Sequence, residues 1–143
     1  MNKDTICLLK ECNAGCKSAT NSMEQVQEFL QEGKLKHVID RYNAEHIKLG
    51  EKCHDLLNQE QESEKDPSTM AKMFSWISTE MKMMINNDER KIADIMVDGC
   101  NMGIKSLSKY LNEYAAADEE SKRIAKDLIQ LEAEFGKELL AYL

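Results

Sequence analysis

Four cysteines and one histidine of this chain stand where a helix would bury them, and these residue types can do chemistry. They are Cys12, Cys16, His46, Cys53 and Cys100. Each falls on an apolar series that advances by alternating steps of three and four, the spacing that keeps one helical face against a partner. Thiolate and imidazole groups suit zinc, copper(I) and iron. The pattern has three interpretations, which are plain packing of small buried thiols, a metal site inside a helical protein, and a redox pair of Cys12 and Cys53.

The sequence also indicates the position of each of these residues along the axis of a helical hairpin. If the chain turns near residues 32–33, Cys12 lies level with Cys53. Cys16 then lies about one turn, roughly 4.5 Å, from the level of His46. The first hairpin would therefore carry thiols and an imidazole on its inner faces.

A second hairpin would bring another thiol to the same depth. Cys100 precedes the second predicted turn by about as many residues as Cys16 precedes the first, so both fall near the middle of a bundle. The acids nearest to Cys100 on the last helix are Glu132 and Glu134, and a carboxylate would favour iron. The predicted metal ligands are Cys16, His46 and Cys100, with Cys12, Cys53 and Glu132 in reserve.

The elements that must position these residues are helices. Alternating apolar and polar runs bounded by turn residues, which would indicate strands, are absent. Asn2 or Asp4 is expected to cap the first helix, and Gly33 is expected to be the left-handed residue after it. The predicted helices run from about Lys3 to Gln31, Lys34 to Gln59, Pro67 to Asn86 and Glu89 to Tyr114, with a fifth helix capped by Asp118.

We therefore predict one all-α domain over residues 1–143. Short turns join the first and last pairs of helices, and the third helix would span roughly 30 Å, enough to cross from one end of a bundle to the other. This plan is that of a ferritin-like antiparallel four-helix bundle of two hairpins with an additional crossover helix. A plain up-down array of five helices is the competing topology.

Charge, hydropathy and cysteine content indicate which binding partners and which cellular compartment to expect. The net charge of −7 argues against binding to nucleic acid or to an anionic membrane. No apolar run approaches the about 20 residues needed to cross a bilayer, and the N-terminal apolar run is too short for a secretory signal. Five cysteines, an odd number, fit thiols in a reducing cytosol better than a disulfide framework. A cytoplasmic location is expected.

The third helix suggests a way to self-associate. It is rich in methionine, which fills irregular cores and adapts to partner surfaces, and Trp76 beside this stripe suits a subunit contact. We expect a homo-oligomer formed through this helix. Its methionines are Met70, Met73, Met81, Met83 and Met84.

Several stretches of the chain resemble a known group of proteins. They are Leu8–Gly15, Ala44–His46, Trp76, Asp88–Glu89 and Ile92–Tyr110. In these stretches the chain is similar to the ferritin-like superfamily, and within it to an uncharacterised bacterial domain-of-unknown-function family related to rubrerythrins. The resemblance covers most of the chain and implies the hairpin–crossover–hairpin scaffold.

The ligand set of ferritin-like di-iron proteins carries over only in part. Those proteins use a Glu on each of two helices and a Glu-x-x-His on each of the other two. Here Cys16 stands near the first Glu position, Asn43-x-x-His46 keeps the histidine without its acid, and Glu132-x-x-Phe135 keeps the acid without its histidine. The resemblance thus implies the scaffold, with a site lost or rebuilt around thiols.

The leading hypothesis is a cytosolic ferritin-like bundle of metal-binding or stress-associated character, and a conventional enzyme is not expected. No glycine-rich phosphate loop, nucleophile elbow or His-Glu-x-x-His helix is present. A metal-free module that self-associates through the third helix is the alternative. A thiol redox sensor using Cys12 and Cys53 is a further one.

Overall fold

The computed structural model of the chain describes residues 1–62, 77, 81–82, 85 and 88–143. Over these residues the all-α class predicted from the sequence is confirmed, and none of them belongs to a strand. None of the helices in this part of the chain is both long and apolar enough to cross a membrane. The elements are α1 (Lys3–Gln27), α2 (Lys34–Gln59), α3 (Glu89–Glu113), α4 (Glu119–Leu139) and a final 3-10 turn (Leu140–Tyr142).

Three of the four helices begin at a side-chain cap. Asn2 accepts a hydrogen bond from the Thr5 backbone N–H at 2.8 Å, and Asp118 accepts one from the Ser121 N–H at 2.8 Å. Asp88 caps α3 in the same way. Each cap satisfies one of the N–H groups that a helix start leaves without a partner in the helix. The predicted caps Asn2 and Asp118 are thus confirmed.

The turn between α1 and α2 differs from the prediction. Helix α1 ends at Gln27 rather than near Gln31, because Phe29 and Leu30 turn inward to pack against the core. Gly33 is extended, with φ 162° and ψ −168°, and it precedes α2 as its N-cap. The prediction of a left-handed Gly33 was therefore wrong, since the helix has already stopped several residues earlier.

Contacts near the helix ends show how the helices run. The N-terminal amine of Met1 lies 3.5 Å from Glu60, so α2 ends where α1 begins. The Asp118 N–H donates to the Thr5 hydroxyl at 2.8 Å, so α4 starts beside the start of α1. Helices α1 and α4 therefore run in one direction, and α2 runs in the other.

The predicted crossover helix lies mostly outside the described residues. Ile77 and Ile85 are buried in the core, and Met81 packs against it, as expected of Ile77 and Met81. Trp76 and the other predicted methionines of this helix, which are Met70, Met73, Met83 and Met84, fall outside the described residues.

The buried apolar residues form two clusters along the bundle. The upper core contains Met23, Ile39, Tyr42, Ile92, Met96, Cys100 and Phe135 among others. The lower core contains Leu8, Leu9, Cys12, Cys16, Cys53, Leu107, Ile124 and Leu128 among others. On α2 and α4 the residues between the two clusters are His46 and Glu132, both buried. We call these two residues the polar layer.

Candidate functional site

The polar layer is a direct contact between α2 and α4. His46 is 0 % exposed, and both of its ring nitrogens have partners. Nδ1 donates to the backbone carbonyl of Tyr42 at 2.7 Å, and Nε2 is hydrogen-bonded to Glu132 Oε1. Because a carbonyl only accepts, Nδ1 must carry a hydrogen. The bond to Glu132 then requires a further proton, held between the imidazole and the carboxylate.

The surroundings of His46 favour its charged form. Burial acts to lower the pKa of His46, but the hydrogen bond and charge of Glu132 and the bond to the Tyr42 carbonyl raise it. The resulting pKa lies above the ordinary value for histidine. The raised pKa therefore favours a histidinium–carboxylate pair, the arrangement by which buried charges are tolerated.

A thiol from a third helix also reaches the carboxylate. Burial, together with the charge of Glu132 and a hydrogen bond to it, raises the pKa of Cys100 far above its ordinary value. The Cys100 side chain is therefore a thiol that donates to Glu132 rather than a thiolate. Glu132 is thus held by His46 from α2 and by Cys100 from α3.

Two cysteines each pack directly against a glycine of the neighbouring helix. A Cβ atom on Gly50 would lie 3.2 Å from the Cβ of Cys16, and one on Gly136 would lie 3.5 Å from the Cβ of Cys100. Each glycine stands one turn after the polar-layer residue of its own helix. The α1–α2 and α3–α4 pairs therefore contribute the same arrangement, a cysteine on the first helix seated against a glycine on the second.

The remaining two predicted ligands contact each other in the lower core. A hydrogen bond with Cys53 and burial raise the pKa of Cys12 well above its ordinary value. Burial and the charges of Cys53 and Glu132 do the same for Cys16. The Cys12 and Cys16 side chains are consequently neutral thiols at physiological pH.

In the structure the predicted metal ligands therefore contact one another in small groups, whereas the sequence suggested a single cluster. Glu132 contacts His46 and Cys100, and Cys12 contacts Cys53. Among the described residues, no three His, Cys, Asp or Glu side chains are placed to hold a metal ion. The polar layer also offers one carboxylate and one imidazole, whereas a ferritin-like di-iron centre uses four and two. These residues do not fit a di-iron centre.

Beside the polar layer lies a cavity of about 150 Å³, here called the interior cavity. It lies between α1 and α3, α4 contributes Leu128, Glu132 and Phe135 to its lining, and it is partly open to solvent beside the exposed Met102. Most of the lining surface is apolar, but a second buried carboxylate, Glu11, and the hydroxyls of Ser18, Ser22 and Ser106 also line the cavity. A Cβ atom on Gly103 would lie 3.4 Å from the carboxylate carbon of Glu132, so the absence of a side chain there leaves space against the carboxylate.

The interior cavity is the feature that the sequence interpretation missed. It exists because small residues line the facing sides of α1 and α3 at helical spacing. That spacing was a readable signal, since steps of three and four mark one face of a helix. The small residues are Gly15, Ser18 and Ser22 on α1 and Gly99, Gly103 and Ser106 on α3.

Comparison of this chain with protein-family models, with curated proteins and with solved structures finds no match. The resemblance to the ferritin-like superfamily therefore stays a prediction from the sequence. Function must be inferred from the polar layer, the thiol that contacts it and the interior cavity beside them.

Proposed function

We propose that this protein binds a small, largely apolar molecule in the interior cavity, with Glu132 accepting a hydrogen bond from that molecule. The observation that carries the proposal is a cavity whose lining surface is mostly apolar and which includes two buried carboxylates, Glu132 and Glu11. Small-molecule sites in proteins typically combine such walls with a few convergent polar groups. The carboxylate would orient the molecule, and the apolar walls would supply most of the affinity.

The volume of the cavity sets the size of the molecule. An apolar cavity of about 150 Å³ engineered into another protein admits benzene, and the interior cavity has about the same volume. The expected ligand is therefore a compound with one six-membered ring or an equivalent aliphatic body. Met23, Met96 and Met102 line the cavity, and their unbranched side chains can adapt to such a ring.

The protonation form of the polar layer determines which polar group the ligand should carry. In the histidinium–carboxylate form that the raised pKa of His46 favours, Glu132 can only accept hydrogen bonds. A ligand with an O–H or N–H group is therefore favoured over a purely apolar one, because hydrogen bonds to charged groups are among the stronger ones. Phenols and small amines have this chemistry.

NMR titration of the full-length protein with phenol tests the proposal. With the methionine methyl groups labelled with ¹³C, phenol should shift the signals of Met23 and Met96 in a saturable way. Toluene, which has the same ring without a donor, should bind several-fold more weakly. Unchanged Met23 and Met96 signals with both compounds would contradict the proposal.

A matched pair of variants ties binding to the cavity. A Cβ atom on Gly15 meets no other atom within 4 Å, so Gly15→Leu should fill the cavity and abolish phenol binding. Ala133 is exposed on α4, and Ala133→Leu adds the same side chain away from the cavity. Phenol binding that survives Gly15→Leu, or that Ala133→Leu also removes, would count against this site.

A second candidate function is metal binding between the same helices on a ferritin-like scaffold. Its support is the pair of cysteine–glycine contacts, which seat Cys16 and Cys100 on either side of the polar layer. An ion would have to displace the proton that His46 and Glu132 share and at least one thiol proton. Metal ligands bind in their deprotonated forms, so such binding would strengthen as pH rises.

Elemental analysis of the purified protein separates this candidate from the first. Stoichiometric zinc, iron or copper that is lost in Cys16→Ser and in His46→Gln would support metal binding. Cys7 lies outside the predicted ligand set, so Cys7→Ser should leave the metal content unchanged. Absence of metal, together with an unchanged melting temperature after chelation, would eliminate this candidate.

A further inference from the structure

A second cavity lies along α1 and α2, on a different face of α1 from the interior cavity. We call it the outer groove. Its volume is about 380 Å³, and none of the described residues that line it also lines the interior cavity. The side chains of Asn13, Cys16 and His46 are the buried ones among its lining residues. The groove therefore reaches from the rim of the hairpin inward to the polar layer.

Asn13 lines this groove and carries a buried polar atom that has no partner in the described part of the chain. Its side chain is only 1 % exposed, and its Nδ2 atom has no hydrogen-bond partner among the described residues. The amide nitrogen carries two hydrogens and can only donate. A buried donor left in this state destabilises the protein, and an acceptor supplied by a ligand would remove that cost.

The other buried lining residues offer Asn13 no strong acceptor, since the sulfur of a thiol accepts hydrogen bonds only weakly. Both ring nitrogens of His46 are already engaged, one with the Tyr42 carbonyl and one with Glu132. The Cys16 side chain is a protonated thiol, because burial raises its pKa well above the ordinary value. The inner end of the groove is thus weakly polar apart from a single amide donor.

The charges at the groove rim do not select an anion. Lys17 contributes one positive charge, and Glu24 and Glu51 contribute two negative ones. With His54 neutral or charged, the sum is −1 or zero. A carboxylate or phosphate would therefore gain no net attraction here, whereas an uncharged acceptor meets no repulsion.

We propose that the outer groove binds a small uncharged molecule whose carbonyl oxygen accepts a hydrogen bond from Asn13 Nδ2. Cyclic amides and cyclic ketones belong to this class, since each joins one strong acceptor to an apolar body. The ligand lies along α1 and α2, with its carbonyl inward and its ring beside Ile47. This site is separate from the interior cavity and does not depend on it.

NMR of the full-length, ¹⁵N-labelled protein tests the site with ε-caprolactam as the probe. The side-chain NH₂ signal of Asn13 should shift downfield and saturate as the lactam is added. Cycloheptane, which has a seven-membered ring without the amide and carries no charge, should leave that signal in place. An Asn13 signal that never moves with the lactam, or that moves equally with cycloheptane, would overturn the proposal.

Two asparagine variants provide the matched comparison. Asn13→Leu should weaken lactam binding by roughly tenfold or more, because the donor is lost. Asn43 is also partly buried, its Oδ1 atom likewise lacks a partner among the described residues, and it lines neither cavity. Asn43→Leu should therefore keep the wild-type affinity, and equal losses in the two variants would refute the assigned donor.

The Gly15→Leu variant distinguishes this site from the interior cavity. It should abolish phenol binding and leave the response of Asn13 to ε-caprolactam unchanged. Loss of both responses would mean that the outer groove is not an independent site. Retention of the lactam response without phenol binding in the wild-type protein would support the groove and reject the interior cavity.

Discussion

Among single residues, His46 is the one whose protonation state matters most to the fold. Its pKa is raised in the folded protein, so its contribution to stability is complete below the ordinary histidine pKa of about 6.5. That contribution is lost as pH rises through the higher pKa of the folded state. The free energy of unfolding should therefore decrease above about pH 6.5, with a slope of at most about 1.4 kcal/mol per pH unit, the limit for one proton.

Urea denaturation between pH 5.5 and pH 8 measures this dependence. The wild-type protein should lose stability across the window, and the His46→Gln variant should show a flatter profile because it lacks the titrating group. Cysteine ionisation in the unfolded chain begins within this window, but it affects both proteins equally, so the difference between their profiles reports His46. Parallel profiles for the two proteins would mean that His46 is not the group responsible.

The cysteines should also differ in reactivity, and we predict the order from burial and pKa. Thiolates rather than thiols react with alkylating agents. Cys12, Cys16 and Cys100 are buried and have raised pKa values, whereas Cys7 is only partly buried. Iodoacetamide near pH 7.5 should therefore modify Cys7 first, and the three buried thiols only at the rate at which the protein opens.

Peptide mapping by mass spectrometry after timed alkylation gives this order directly. Denatured protein should label at all five cysteines and serves as the reference. Rapid labelling of Cys12 in the native protein would contradict the prediction. It would also favour the redox-sensing hypothesis, which needs an accessible thiolate.

At the scale of helices, the contact between α1 and α2 depends on a glycine. A Cβ atom on Gly50 would approach the Cys16 Cβ to 3.2 Å, whereas one on Gly15 would enter open space. Replacing glycine by alanine inside a helix stabilises it by about 0.5–1 kcal/mol where there is room. Overpacking typically costs about 1–3 kcal/mol. We therefore expect Gly15→Ala to stabilise the protein and Gly50→Ala to destabilise it.

Urea denaturation of the two alanine variants tests this difference. Both substitutions have the same intrinsic helix propensity, so their difference reports the contact with Cys16 alone. Gly136→Ala should fall between them, because its Cβ would lie at an ordinary distance of 3.5 Å from the Cys100 Cβ. A Gly50→Ala variant as stable as Gly15→Ala would show that α1 and α2 can separate at little cost.

Most helix boundaries could be predicted from the sequence, because they depend on local signals. The starts of α3 and α4 follow from capping acids and apolar periodicity, both visible within a few residues. The end of α1 was not readable, because Phe29 and Leu30 leave the helix to reach a core built by distant segments. The prediction of a left-handed Gly33 was wrong for the same reason.

For the candidate site, the sequence could predict which residues face inward but not which of them contact each other. Periodicity places His46 and Cys100 on inner faces, but which partner each one meets depends on how the helices rotate against each other. That rotation joined Glu132 to both of them. The interior cavity also required knowing that the small residues of α1 and α3 face one another.

For the whole molecule, the polar layer divides the core into two apolar clusters. A buried charge pair contributes little net stability compared with apolar residues of similar size, but removing one partner strands the other charge. It can instead fix how helices align, because only one alignment pairs the charges. In this protein His46 and Glu132 would fix the alignment of α2 against α4, with the Tyr42–Phe135 ring stack (centroids 4.7 Å apart) one turn away.

A double-mutant cycle tests this role. His46→Leu and Glu132→Leu should each destabilise the protein by about 3–5 kcal/mol, because each leaves a buried polar group unpaired. The double variant joins the two apolar clusters into a continuous core, so it should recover most of that loss. Its amide NMR spectrum should nevertheless be broader than that of the wild type if the layer sets helix alignment. Additive losses in urea denaturation would show that the two side chains act independently, and a sharp spectrum from a stable double variant would show that apolar packing alone aligns the helices.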